Sequence, residues 1–252
     1  MKKTLALILC FIFIASLCLV GCNGEDLAKL DGKTPQELFA ESRQKLADYT
    51  RYKAVTEQTI IMEMQGVKLT MPQTVVSIVD GQNSYVKSEA TDPMTMKPSV
   101  NAEAWYVDGV LYNGLTKIKA DLPWDTYVSD YLGGDPSGNM LVNLPEEWFK
   151  DIKFEKKEGS DNYFLVFNIS GDKYEELFSK TGLAASAEIS DVVYTVEFDK
   201  DGNLLCVYTD FSMNIQGVAA SCTSTAKIIV EGVEAVTAPA DAETYRQGVL
   251  KN

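Results

Sequence analysis

The sequence predicts a single α+β domain of many antiparallel strands with a few helices, on three observations. Long runs alternate apolar and polar residues with the two-residue period of strands. Turn pairs such as Gln65-Gly66, Asp108-Gly109 and Gln216-Gly217 punctuate those runs. An early segment, Thr34-Pro35-Gln36-Glu37, carries a complete helix start. No Pro-, Gly- or Ser-rich linker divides the 252 residues, so one unit spanning 34–252 is expected.

The first segment lies outside that unit. Met1-Lys2-Lys3 is a short positive region, Thr4 to Gly21 is uncharged and apolar, and the run ends Leu19-Val20-Gly21-Cys22. This order resembles the lipobox of bacterial lipoproteins, which implies cleavage after residue 21 and diacylation of Cys22. The alternative is an uncleaved transmembrane helix, since the apolar run is just long enough to span a bilayer. Under the lipobox reading Cys22 is a lipid anchor, residues 22–33 are a short tether, and two acyl chains attach the protein to the membrane.

The helix opened by Thr34 places Leu38, Ser42, Leu46 and Tyr49 on one stripe beside Phe39, so it covers a partner surface. Strands begin at Arg51. Even positions from Thr56 read Thr56, Gln58, Ile60, Met62 and Met64. Past Gln65-Gly66, Val67, Leu69 and Met71 alternate with Lys68 and Thr70. A two-residue loop pairs Met64 with Val67, Met62 with Leu69 and Ile60 with Met71, which brings all six apolar side chains to one face.

Further strands are expected over 83–90, 103–107, 110–113, 163–169, 191–198, 204–215 and 218–230. A last partner is expected around Glu234-Ala235-Val236. Trp124, Tyr127, Tyr131 and Leu132 mark a short helix before Gly133-Gly134-Asp135-Pro136, and Pro145 to Phe149 begins another. Asp172 to Thr181 reads as a helix stopped by Gly182. The string Met62-x-Met64-Gln65-Gly66-Val67 is echoed by Met213-x-Ile215-Gln216-Gly217-Val218, which hairpin chemistry explains without duplication.

Cys206 and Cys222 are the cysteines left beyond the anchor. With Gln216-Gly217 as the turn, Cys222 falls opposite Phe211, whereas Cys206 faces the other way and lies about 17 Å along the ladder at roughly 3.4 Å per residue. A disulfide needs Cα atoms within about 7 Å. Both thiols are therefore expected to be unbridged.

Composition removes several functions. Asp+Glu is 36 against Lys+Arg 23, a formal charge of −13 that disfavours phosphate backbones and hence nucleic acid. Without histidine, no Ser-His-Asp, Cys-His or His-metal site exists. Ser84-x-x-Lys87, Ser160-Asp161-Asn162 and Lys180-Thr181-Gly182 spell the penicillin-recognising motifs, but Ser84 falls in a strand rather than at a helix start. Asp199-Lys200-Asp201-Gly202-Asn203 resembles a calcium loop only faintly and reads as a hairpin turn. The pairs Glu146-Glu147 and Glu175-Glu176 read as solvated helix positions. No catalytic residue, metal or cofactor is expected. The protein is read as no enzyme.

The lipobox, the Leu38–Tyr49 helix, the paired strands of 51–79, Glu103 to Gly109 and the hairpin of 193–215 together resemble the LolA/LolB and LppX/LprG-like bacterial lipoproteins. Within that group the likeness is to lipoproteins from Gram-positive bacteria. The resemblance implies a sheet curved into an open or half barrel, with helices closing its concave face over a cavity for acyl chains. On this sequence the cavity wall would be Ile60, Met62, Met64, Val67, Leu69, Met71, Phe211 and Met213. A fixed anchor at Cys22 fits a lipid acceptor or presenter on the extracytoplasmic face better than a shuttle. The rival expectation is an accessory module of an envelope complex, with a filled core and no ligand.

Overall fold

A computed structural model describes residues 25–27, 32–64, 66–92, 97–131, 144–157, 159–173, 175, 187–215 and 217–248. In chain order the strands are β1 (Glu25–Leu27), β2 (Arg51–Met64), β3 (Val67–Asp80), β4 (Asn83–Thr91), β5 (Pro98–Val107), β6 (Val110–Asn113) and β7 (Ile118–Asp121). They continue as β8 (Lys150–Lys156), β9 (Tyr163–Ile169), β10 (Ala187–Ile189), β11 (Val192–Phe198), β12 (Leu204–Ile215), β13 (Val218–Ile229) and β14 (Arg246–Gln247). Helix α1 spans Pro35–Asp48 and α2 spans Trp124–Tyr131.

All strands join one curved sheet in the order β1-β8-β9-β11-β12-β13-β2-β3-β4-β5-β6-β7-β14, with β10 added on β12. Its two edges do not pair with each other among the described residues, so the barrel stays open. The ladders are antiparallel except β14 on β7. This is the α+β open half-barrel expected.

The hairpins that build its centre follow from their turns. Gly66 and Gly217 hold φ of +79° and +86°, a region that costs glycine little and a β-branched residue a great deal. Met64↔Val67, Met62↔Leu69 and Ile60↔Met71 pair as the alternation requires, and Ile215↔Val218 through Phe211↔Cys222 do likewise. Since β13 also pairs β2, with Ala219↔Glu63 beside the turns, both Gln-Gly tips lie together at one end of the sheet.

Helix α1 starts in a full capping box: Glu37 N–H donates to Thr34 Oγ1 and Thr34 N–H to the Glu37 carboxylate at 2.8 Å. Its buried stripe of Leu38, Phe39, Ser42 and Leu46 packs on the sheet. Phe39 meets Phe149 and Phe167 at ring distances of 5.3 and 5.1 Å, and Phe167 stacks on Tyr194 at 5.0 Å. Ser42 Oγ and Lys45 Nζ donate to the carbonyls of Gly202 and Asp201, which fixes α1 at the end of the sheet remote from the Gln-Gly tips. Helix α2 covers a second, smaller cluster of Tyr106, Leu111 and Tyr127 near the other edge.

Three expectations are corrected. Residues 234–236 form no strand; Val236 N–H donates to the Asp80 carboxylate instead, and the last ladder is β14 on β7. Glu25–Leu27, expected in the tether, pair with Phe154–Lys156 at the sheet edge. Pro145 leads into a single 3₁₀ turn over Glu146–Trp148, too short to bury a stripe. Strand β8 has no sequence forecast because five of its seven residues are charged, leaving only Ile152 and Phe154 to mark its inner face. Residues 1–22, Gly133 to Pro136 and Lys180 to Gly182 lie outside the described residues.

Candidate functional site

Strands β12, β13, β2 and β3 set their inward side chains in register, so the concave face reads as rows. At the tips Ile215 pairs with Val218 and Met64 with Val67. The next row is Met213, Ala220, Met62 and Leu69, and the next Phe211, Cys222, Ile60 and Met71. Below these come Thr209, Ser224, Gln58 and Gln73, then Val207, Ala226, Thr56 and Val75. The eight residues expected from sequence to share a wall thus occupy three consecutive rows.

They are not equally covered. Phe211 and Met213 belong to the core, and Ile60 and Met62 pack against it while partly exposed. Leu69 and Met71 are half-buried on the same face. Val67 is 62% exposed, whereas Val75 four rows down the same strand is 1% exposed. The apolar face of the β2–β3 hairpin therefore outruns its cover toward the tips. For Met64 the register alone is described.

Sequence reading passed over the row below. Thr209, Ser224 and Gln58 are 1, 4 and 2% exposed. Gln58 Nε2 donates to Cys222 Sγ at 3.0 Å, and Gln73 Nε2 to Ser88 Oγ at 2.8 Å. The even-position reading of β2 already put Thr56 and Gln58 on the apolar face, which is the signal that such a row existed. All residues in these rows are uncharged.

Cys206 and Cys222 form no disulfide; Cys206 pairs with Lys227 on the outer face while Cys222 points inward. Burial pushes the Cys222 thiol up to about 12, and burial together with Glu197 raises that of Cys206. Neither is a thiolate nucleophile at neutral pH. Iodoacetamide at pH 8 is expected to leave Cys222 unmodified in the folded protein and to label it once urea unfolds the chain, as read by peptide mass; labelling at equal rates in both states would refute this placement.

The remaining motifs resolve into structure. Ser84 is buried in β4 with its Oγ 2.6 Å from Tyr127 Oη, and Lys87, three strand residues on, faces the other side and pairs with Glu89. A serine and lysine on opposite faces cannot exchange a proton. Asp199 Oδ1 accepts from the amides of Asp201 and Asn203, and Oδ2 from Asn203 Nδ2, which closes the hairpin turn. Among the described residues no three His, Cys, Asp or Glu side chains converge as a metal site would require. The cleft between α1 and this turn encloses about 120 Å³, below the roughly 300–1,000 Å³ of ordinary ligand pockets.

No family model and no curated protein matches this chain. Among solved structures it is similar in layout to LprF from Mycobacterium bovis, at 11% identity and TM-score 0.35, covering 75% of this chain and 90% of that one. A LolA superfamily protein from Nitrosomonas europaea matches at 9% identity and TM-score 0.28, covering 79% and 94%. A putative outer membrane lipoprotein-sorting protein domain from Vibrio parahaemolyticus matches at 14% and 0.27, covering 79% and 93%.

Proposed function

We propose that this chain is an extracytoplasmic lipoprotein, held to the membrane through acylated Cys22, that binds an apolar ligand along the tip rows of its concave face and performs no catalysis. One observation carries the reading: the core face continues past its cover, so that Val67, Leu69, Met71, Met62 and Ile60 form an apolar extension next to the buried Phe211 and Met213. Burial is the whole chemistry. At about 25 cal/mol per Å², covering 300 Å² of ligand and wall yields several kcal/mol.

The placement of the anchor supports a presenter rather than a shuttle. Residue 22 precedes Glu25 by three residues, so at most about 10 Å of chain links the acyl group to the sheet. Glu25 lies in register with Lys156, Tyr163, Phe198 and Leu204, at the end opposite the tips. The eleven steps from Leu204 to Ile215 along β12 measure roughly 37 Å. The apolar rows then lie far along the strands from the anchor.

The test is a native mass spectrum of the protein together with extraction of whatever copurifies. A bound lipid near one per chain supports the proposal. A clean mass that stays unchanged after incubation with varied lipids favours the filled-core interaction module, a reading that the burial of Phe211 and Met213 supports. Separately, Cys22→Ser is expected to move the protein from the membrane to the soluble fraction, and unchanged membrane association would remove the anchor.

A further inference from the structure

Among the described residues, the polar row below the apolar ones has hydrogen-bonding capacity left unpaired. Gln58 Oε1 and Thr209 Oγ1 are buried, and neither has a hydrogen-bond partner among the described residues. Both belong to one register line, Thr209↔Ser224↔Gln58↔Gln73, on the concave side. Reversing the Gln58 amide does not remove the deficit: Cys222 S–H would then donate to the oxygen, and the amide hydrogens would be left over. Buried polar groups are otherwise almost always paired, so a pair of orphans on one line calls for an account.

Its surroundings define what could complete it. Along β13 the inward residues are Ala220, Cys222, Ser224 and Ala226, all small, between the larger Phe211 and Met213 on one side and Ile60 and Met62 on the other. The line lies six residues from Met64, roughly 20 Å in from the tips at about 3.4 Å per residue, with only apolar rows between. No Lys, Arg, Asp or Glu occurs in the tip row or the four rows below it, so an anion or a cation would lose its water without a counter-charge. A hydroxyl suits the line whichever way the Gln58 amide is turned, because it both donates and accepts.

We infer that Gln58 and Thr209 form a polar recognition line for an uncharged hydroxyl on the apolar ligand, whose hydrocarbon runs from that hydroxyl toward the Gln-Gly tips. The inference rests on the apolar-ligand reading above and adds the ligand's chemical class. Thr209, Ser224 and Gln58 are covered, so a ligand that reaches the line displaces that cover and gives the Gln58 amide oxygen and the Thr209 hydroxyl a partner.

Two probes that differ by one hydroxyl test it: 1-hexadecanol and hexadecane, delivered to the intact protein from cyclodextrin and measured by displacement of a neutral apolar dye. The native protein is expected to favour the alcohol by about tenfold. Gln58→Leu and Thr209→Val each reduce that preference, and together bring it near one, while hexadecane binding is retained. Thr209→Val is nearly isosteric and keeps the test valid if Gln58→Leu unfolds the chain, which circular dichroism would report. Equal affinity of the native protein for both probes overturns the recognition line and leaves the apolar site standing, as does a preference that survives both substitutions. Failure of both probes to bind overturns the apolar-ligand reading, and the line with it.

Discussion

Phe167→Ala is expected to lower the unfolding free energy by about 3–5 kcal/mol. Phe167 has no exposed surface and lies where four elements converge. Its ring is 5.1 Å from Phe39 of α1, 4.7 Å from Phe149 after the 3₁₀ turn, and 5.0 Å from Tyr194 of β11. Truncation forfeits the transfer free energy of a whole aromatic side chain, leaves a cavity that three rings cannot all collapse into, and removes their pairwise contacts. Urea unfolding with an unchanged m-value is the measurement. A loss under about 1 kcal/mol would mean that α1 does not depend on this cluster for its seat on the sheet.

Leu69→Asp combined with Met71→Asp should abolish apolar-ligand binding while leaving the fold in place. Both side chains are only half-buried and stand outside the buried core, so their loss costs the folded state little. Binding is another matter. Covering either carboxylate with hydrocarbon removes its water without supplying a partner, and affinity falls by about 100-fold or more. The dye titration reads the loss, and an unaltered far-ultraviolet dichroism spectrum separates it from unfolding. Undiminished affinity would take the ligand away from the β2–β3 hairpin.

Much of the centre of this architecture was legible in the chain because turn and pattern agree there. Gln65-Gly66 and Gln216-Gly217 dictate two-residue loops, and once those are granted the alternation of Ile60, Met62, Leu69, Met71, Phe211 and Met213 admits one register. The absence of a disulfide followed from the same counting, through the opposite parity of Cys206 and Cys222. The edges were less legible. In β8, charge masks the period, and β14 is two residues paired through a distant stretch of chain, which no local pattern can announce. Around Glu234 to Val236 two apolar residues mimic a strand, while the Val236 N–H donates to the Asp80 carboxylate of β3 rather than to a ladder.

The candidate site was half legible. That six hairpin side chains share a face follows from periodicity; that Val67 is exposed while Val75 is not is a matter of tertiary packing, which no local pattern carries. Gln58 and Thr209 were visible as polar residues in apolar columns. Their lack of partners could be known only after the strands β12, β13 and β2 had been aligned.

Photolabelling maps where on the sheet the apolar ligand lies. The protein would be equilibrated with a long-chain alcohol bearing a diazirine on its hydrocarbon, irradiated, and digested for peptide mass analysis. Labelling confined to peptides spanning 58–71 and 209–222, and suppressed by excess unlabelled alcohol, is the predicted result. Label spread over the outer face, or concentrated at the α2 edge around Tyr106 and Tyr127, would contradict the account.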